Sequence, residues 1–281
     1  MDEKKSYKSW TISDAFWEAI KEEIPDRSRN PEKEYQRKPG GGRKPLPKRQ
    51  VLEGIFYVLR TGCQWKAVPK EYGAGSSIHQ YFQEWAVAGF FEKIWAKGLE
   101  TYDELEGIGW EWQSVDGCMV KAPLARESVG KNPTDRGKNG TKRSILTDEK
   151  GIPLAVVLSG ANTHDVKLLA DTLDGVIISR PEPDEESPQN LCLDAGYTGH
   201  QDEVEARGYI AHIRPRGEEK KELERNPDFH ARRWVVEVTH SFLNRFRKLL
   251  VRFEKKADNY LALVHFAFAV IVWRKILPVH R

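Results

Sequence analysis

An α/β layered domain preceded by an all-helical region is the fold class this sequence predicts. Three observations carry it. Apolar residues recur at helical spacing over the first ~105 positions; the period changes near Trp110; and strand-like runs then alternate with helical ones to the C-terminus.

The N-terminal helices come first. Ser13 suits an N-cap for a helix holding Phe16, Trp17 and Ile20. A Pro/Gly/basic stretch over 39–47 breaks the pattern. Val51, Leu52, Ile55, Val58 and Leu59 then mark a strong helix, with Gly62 as its stop. A turn around Pro69 and Gly73 leads to Ser76, the expected cap of a helix from Ile78 to Ala86. Two readings compete. A helix-turn-helix would turn His79, Gln80 and Gln83 toward DNA base edges, whereas an ordinary helical bundle would leave them as surface residues.

Beyond Trp110, the residues Trp112, Val115, Met119 and Val120 suit a first strand. Ser144 to Thr147 and Ile152 to Ser159 read as a hairpin turned at Asp148 to Gly151. Asp165 to Leu173 reads as helix, Asn190 to Leu193 and Tyr209 to Arg214 as strands, and 230–250 and 260–276 as closing helices. This order divides the chain into a helical domain, 1–105, and an α/β domain, 106–281. Pro181 to Pro188 is an acidic, Pro-rich surface loop.

The 281 residues carry 45 Lys+Arg against 42 Asp+Glu, a net charge of only +3, but the charge is uneven. Segments 26–49, 121–143 and 232–256 carry +6, +5 and +6 by count of Lys/Arg less Asp/Glu. Such blocks could line a track for a polyanion, or form three solvated faces. Cys63, Cys118 and Cys192 are far apart, which argues against a zinc knuckle and a disulfide scaffold. The polar N-terminus does not read as a signal peptide. The apolar run Leu261 to Trp273 falls short of the ~20 residues a membrane span needs. A cytoplasmic protein without a membrane partner is expected.

Three carboxylates stand out. Asp116 is expected at or just beyond the end of the first strand, and Asp194 at the end of the fourth. Strand ends of α/β sheets are where ligands gather, although an Asp before Gly is also a common turn residue. Glu237 is placed by helical spacing opposite an apolar stripe of Val235, Val238, Phe242, Phe246 and Leu249. Arg233, Ser241, Asn244 and Lys248 share its face. An exposed Arg233–Glu237 pair is the plainer reading; a metal-binding carboxylate flanked by phosphate-gripping groups is the functional one. Three such acids from separate segments can hold two Mg²⁺ ions about 4 Å apart, with Mn²⁺ as an alternative.

These segments resemble bacterial insertion-sequence transposases of the insertion-sequence-five family, in the DDE class. The likeness runs over roughly 8–276. It is carried by Val51 to Trp65, Ser77 to Trp85, Val115 to Gly117, Arg136 to Lys142, Gly160 to Asp165, Leu193 to Tyr197, and Arg233 to Glu237 with Leu243 to Leu249. The resemblance implies a ribonuclease H-like core with a mixed sheet flanked by helices, and Asp116, Asp194 and Glu237 as catalytic, metal-holding residues. It implies double-stranded DNA as partner: the inverted-repeat ends of a mobile element, and a target. Assembly as a homodimer or larger complex on that DNA, in the bacterial cytoplasm at the nucleoid, is expected with it.

The family's third-acid helix carries Tyr, Arg, Glu and Lys. Here His230 stands at the Tyr position, Asn244 at the Lys position and Val238 just after the Glu, with Lys248 a candidate substitute. His164 and Asp165 are expected to orient the site or cap the helix after them. Lys121 and Lys142 are candidate phosphate contacts or ordinary surface lysines, and Arg43 and Lys44 could reach a DNA groove from the Gly-rich arm. Three rivals keep part of this picture: a DNA-binding relic without chemistry, a nuclease that cuts without joining, and a helical adaptor.

Overall fold

The computed structural model describes residues 10–26, 34, 44–213, 232 and 234–279. Helices α1 (Asp14–Ile20), α2 (Lys48–Thr61), α3 (Gly75–Val87) and α4 (Phe90–Glu106) form the first region. Ser13 caps α1 as expected, its hydroxyl accepting from Phe16 N at 3.1 Å. Gly62 ends α2 in the left-handed conformation, φ 73°. Ser76 is not a cap. Helix α3 starts one residue earlier, at Gly75, where a Cβ would sit 2.0 Å from Trp65 O, so the close approach of the preceding turn sets the start.

The second region holds strands β1 (Trp112–Lys121), β2 (Gly130–Lys131), β3 (Asn139–Asp148), β4 (Pro153–Gly160), β5 (Gln189–Leu193) and β6 (Tyr209–Ile213). Helices α5 (Leu169–Asp174), α6 (Gln201–Glu205), α7 (Trp234–Asn244) and α8 (Ala257–Ile276) accompany them. Strands β1, β3 and β4 pair antiparallel; β5 and β6 add in parallel on the other side of β1, and β2 shares the outer edge of β3 with β4. An antiparallel hairpin set extended by two parallel strands reached through helices is the ribonuclease H-like arrangement. The β3–β4 turn forms as its residues dictate: Asp148 Oδ1 accepts from Lys150 N and Ile152 N at 2.9 and 2.8 Å, and Gly151 takes φ 76°.

The expectation for residues 230–250 needs correction. Helix α7 stops at Asn244, and Arg247–Leu249 forms a separate 3₁₀ turn. Its buried residues are Val235, Val236, Thr239, His240 and Leu243, so the inward face is rotated from the purely apolar stripe. The cause is polar: Thr239 Oγ1 donates to Gly151 O at 2.9 Å, and His240 turns toward Asp116.

Helix α8 is 20 residues, long and apolar enough to cross a membrane by length, yet it is mostly buried inside the protein. It packs on α4, where Trp273 Nε1 donates to Ile94 O at 2.8 Å, and Phe266 meets Phe56 and Phe91. It also borders β4 and α7. One continuous apolar core therefore runs through both regions. Gly98 on α4 exists because a Cβ there would lie 2.8 Å from Trp273 Nε1. Replacing Gly98 with Leu forces these helices apart, and urea denaturation should show a loss of about 1–3 kcal/mol, the usual cost of overpacking. An unchanged midpoint would mean that the α4–α8 seam does not set stability.

Candidate active site

The site is built by strand register. Strands β1 and β5 run parallel with Ser114 opposite Cys192, and this pairing is the last between them. Two residues on, at the same phase of the two-residue side-chain alternation, stand Asp116 and Asp194. Asp116 is therefore not at a strand end, as the sequence suggested. It sits in the middle of β1, still paired with Ile145 of β3. It is at an edge only on its β5 side, because β5 stops at Leu193. Asp194 begins the next turn, its Oδ1 accepting from Gly196 N at 2.8 Å.

Helix α7 brings Glu237, exposed in its first turn, to the same place. Asp116 feels all of its neighbours. Its pKa is pushed up to about 6, first by burial and then by the charges of Asp194, Asp165 and Glu237, while Gly117 N–H works the other way. Like charges beside a half-buried carboxylate favour its neutral form, or a bound cation.

Asp165 reaches this cluster through a gap left by glycine. A Cβ on Gly117 would meet Asp165 Oδ1 at 2.0 Å. Lys142 secures that carboxylate, with Nζ 2.9 Å from Oδ1, and also donates to Thr163 O at 2.6 Å. Lys142 is thus buried and paired, not a surface lysine reaching out to a phosphate. His164 occupies the N-cap position of the following turn, but its side chain makes no capping bond; it is exposed.

Two residues given no role from sequence complete the wall. His240 Nε2 lies 3.9 Å from Asp116 Oδ2. Burial, aided by the nearby Arg143 guanidinium, pushes the His240 pKa down to about 3, so the imidazole is neutral. Tyr197 is buried, and its phenol is pushed upward by burial and by Asp165, Asp116 and Asp194. Among the described residues, the ring nitrogens of His240 and the hydroxyl of Tyr197 have no hydrogen-bond partner. The signal for Tyr197 was its place three residues after Asp194; for His240 it was a polar residue at an inward position of α7.

The predicted DNA contacts fall in several places. Arg43 and Arg233 lie outside the described residues. Lys121 is 63% exposed and 3.6 Å from Asp135, and Asn244 is exposed at the end of α7. Lys248 is not on the face of Glu237; it is buried beyond the helix, 3.2 Å from Glu254 Oε1. Lys44 and Gln80 line one shallow cavity of about 190 Å³. His79 and Gln83 line a different one.

The donor set suits a hard divalent cation. It offers carboxylate oxygens, excess negative charge at one spot, and buried groups left without partners. Asp116, Asp194 and Glu237 are the residues that could hold it. Among the described residues no three His, Cys, Asp or Glu side chains are already closed around one point.

A mixed sheet of ribonuclease H-like order with acids gathered beside its central strand defines a nucleic-acid-processing class of protein. Comparison with known proteins agrees. Residues 113–272 match the family model "Transposase DDE domain", and residues 12–95 match "Putative transposase of IS4/5 family". The chain belongs to the DDE transposase family, and is a DDE-type nucleic-acid-cleaving enzyme. It is 34% identical over 157 residues, 54% of this chain and 71% of the relative, to the "Putative transposase for insertion sequence element IS402" of Burkholderia cepacia. An "Insertion element IS402 uncharacterized 16.2 kDa protein" of the same organism is 28% identical over 124 residues, 43% of this chain and 80% of the relative. Among solved structures, a Mos1 transposase paired-end complex with left transposon end aligns over 75% of this chain and 80% of that one, at 11% identity and TM-score 0.26. A Mos1 mariner paired end complex with Mn aligns over 84% and 82%, at 10% and 0.28. Likenesses that slight carry no weight beside the sheet order.

The raised Asp116 pKa fixes a stability profile. The folded state holds this proton more tightly than the unfolded chain, whose value is near 3.8. The group's favourable contribution is complete below about pH 4 and is lost as pH rises through about 6. Without metal, Asp116→Asn should therefore be more stable than the native chain at pH 7, by about 2 kcal/mol and a few degrees in Tm. The gain should vanish near pH 4. Calorimetry at both pH values checks it, and a less stable variant at pH 7 would refute the buried-charge account.

Proposed function

We propose that this protein is a DNA transposase that binds the terminal inverted repeats of its mobile element, cleaves the ends by Mg²⁺-dependent hydrolysis, and joins the freed 3′-hydroxyls to target DNA. The observation that carries the reading is the β1–β5 register that sets Asp116 beside Asp194, with Glu237 and Asp165 close enough to raise the half-buried Asp116 carboxyl.

In this reading Asp116, Asp194 and Glu237 would hold two divalent ions. When bound, the ions supply activation of the attacking oxygen and stabilisation of the leaving oxygen. The protein's own part is positional. Asp116 and Asp194 are fixed to within the tolerance of two paired strands, and Glu237 by a helix whose inner face is anchored on β1 and β3. Asp165, tethered by Lys142, adds negative charge behind Asp116 without leaving its own carboxylate loose. Neutral His240 offers a dipole to Asp116 without opposing a cation.

The DNA track draws on the uneven basic segments. Asn244 lies exposed on the helix that carries Glu237, Lys121 lies exposed at the far end of β1, and Lys44 and Gln80 offer a further contact on the helical region. Division into a helical DNA-binding domain, 1–105, and a catalytic domain, 106–281, fits these roles, although the apolar core is shared. Joining two ends in concert calls for a homodimer or larger assembly on DNA, in the cytoplasm at the nucleoid.

The test is cleavage and strand transfer of DNA carrying the element's ends, with Mg²⁺ and then Mn²⁺, by the native chain and by Glu237→Gln. The variant keeps the helix and the shape but removes the ligating charge. Cutting should fall by about 10²-fold or more, the scale seen when a group stabilising transition-state charge is lost. DNA affinity should persist. Equal cutting by both would remove Glu237 from the site. Cutting without joining of pre-cleaved ends would mark a nuclease, and tight binding without cutting a DNA-binding relic.

A further inference from the structure

Asp165 lies beside the acid cluster but comes to it from the other side of the sheet. Successive side chains of β1 alternate between faces. Asp116 points to the face where His240 of α7 lies, 3.9 Å away. Gly117 belongs to the opposite face, with Ser144 of β3 as its register partner, and there Thr172 of α5 donates to the Ser144 hydroxyl at 2.8 Å. Asp165 stands over Gly117, since a Cβ on that glycine would lie 2.0 Å from its Oδ1. Strand β5 ends at Leu193 and its last pairing with β1 is at Ser114, so no strand closes that side of Asp116 and Gly117. Groups on the two faces can therefore reach the same space. Asp165 accordingly raises the Asp116 carboxyl across the sheet, and acts with Asp116 and Asp194 on the Tyr197 phenol.

The chain leading to Asp165 is fastened at each step. Thr163 N donates to Gly160 O at 3.0 Å, the Ser159 and Thr163 hydroxyls are bonded at 2.7 Å, and Lys142 Nζ donates to Thr163 O at 2.6 Å. The 3₁₀ turn that Asp165 opens packs on the turn Ala195–Tyr197, which follows Asp194. Lys142 holds the carboxylate by Oδ1, at 2.9 Å, and that oxygen is buried. The Asp165 side chain is nonetheless 40% exposed. The exposure falls on the rest of the carboxylate, with Oδ2 as its polar atom. A counter-ion for a buried lysine needs only the pair. It needs neither a missing Cβ on the neighbouring strand nor an oxygen left accessible.

We propose that Asp165 is a fourth acid of the metal site: a positioning residue that Lys142 clamps by one oxygen and Gly117 admits, and whose other oxygen accepts from water bound to a cation beside Asp116. This rests on the reading that Asp116, Asp194 and Glu237 hold divalent ions, and extends it to a residue from the opposite face. Hard cations such as Mg²⁺ keep several waters, and a fixed acceptor outside the ligands orients them.

Mn²⁺ binding by the full chain, followed by titration calorimetry, tests the fourth acid, with melting of the metal-free protein as the check on folding. Lys142→Met with Asp165→Ala removes the pair together. Melting should change little, because an apolar replacement of a buried ion pair is often neutral. Mn²⁺ affinity should fall by about tenfold or more, the scale seen when a partner outside the ligands is lost. Gly117→Ala is the second variant. It keeps every charge but pushes Asp165 away, and it should weaken Mn²⁺ binding too. In the chain with all of these substitutions it should cost nothing further, since the group it displaces is gone. Should the paired variant not fold, Gly117→Ala decides alone, and unchanged affinity counts against the proposal. Native affinity in the paired variant would leave Asp165 as the counter-ion of Lys142 and nothing more. An equal loss from Gly117→Ala with and without Asp165 would assign the glycine to Asp116. Either result overturns the proposal while leaving the three-acid site standing. No Mn²⁺ binding by the native chain overturns the metal-site reading itself, and the fourth acid with it.

Discussion

The register between β1 and β5 is the constraint on which the site depends. Because Ser114 pairs with Cys192, Asp116 and Asp194 fall side by side, one on a strand that continues and the other where its neighbour has just ended. A slip of one residue would turn one of the two acids to the opposite face of the sheet. Everything else at the site answers to that placement. Gly117 must be small so that Asp165 can approach, and Lys142 must be buried to hold Asp165. Helix α7 must carry Thr239 and His240 on an otherwise apolar inner face, because His240 lies beside Asp116 and Thr239 donates to Gly151 O.

Such a cluster is unfavourable in itself. Burying one carboxylate among three others raises its proton affinity, and no cation among the described residues offsets Asp116 directly. The compensation is elsewhere, in the shared core. Helix α8 is apolar nearly all round and is surrounded by α4, β4 and α7, so it binds the helical region to the sheet with buried aromatic contacts. That seam has a second effect. It fixes the end of α2 against the turn after α7, where a Cβ on Gly62 would sit 3.0 Å from Arg247. The same contact closes one side of the cavity that Trp65, His79 and Gln83 line. The core, the acid cluster and the cavity lined by Trp65 are thus parts of a single packing arrangement.

Much of this was legible in the sequence because the signals were local. Ser13, Gly62 and the Asp148–Gly151 turn announce helix ends and a hairpin through short-range backbone chemistry, and each forms as read. The strands are legible from their period and length. The misplacements share a different cause. Asp116 reads as a strand end because Asp-Gly is turn-like, but β1 continues through it on the strength of its pairing with β3, nine register pairs in all. Lys142 and Lys248 read as exposed cations, yet each is buried against an acid 23 and 6 residues away in sequence, Asp165 and Glu254. The rotation of α7 follows from Thr239 and His240, which a hydrophobic pattern assigns to the outside. In each case a non-local polar partner overrode a local preference, and no periodicity encodes that partner.

The same logic explains why the acids were recognisable even though their surroundings were not. A carboxylate set on rigid backbone in an apolar or packed segment leaves a plain trace, regular structure interrupted by one misplaced charge. Asp116 in an apolar strand, Asp194 at the end of another and Glu237 on a packed helix all have that form. Lys142 and Lys248 have nearly the same form, a lone charge in a structured segment. What distinguishes them is the presence of a fixed counter-ion. A buried charge with a partner favours a particular arrangement of the fold, whereas Asp116, half-buried among like charges, has its proton affinity raised and no cation set against it among the described residues. The decisive information therefore lies less in where the charged residues are than in which of them the fold leaves uncompensated.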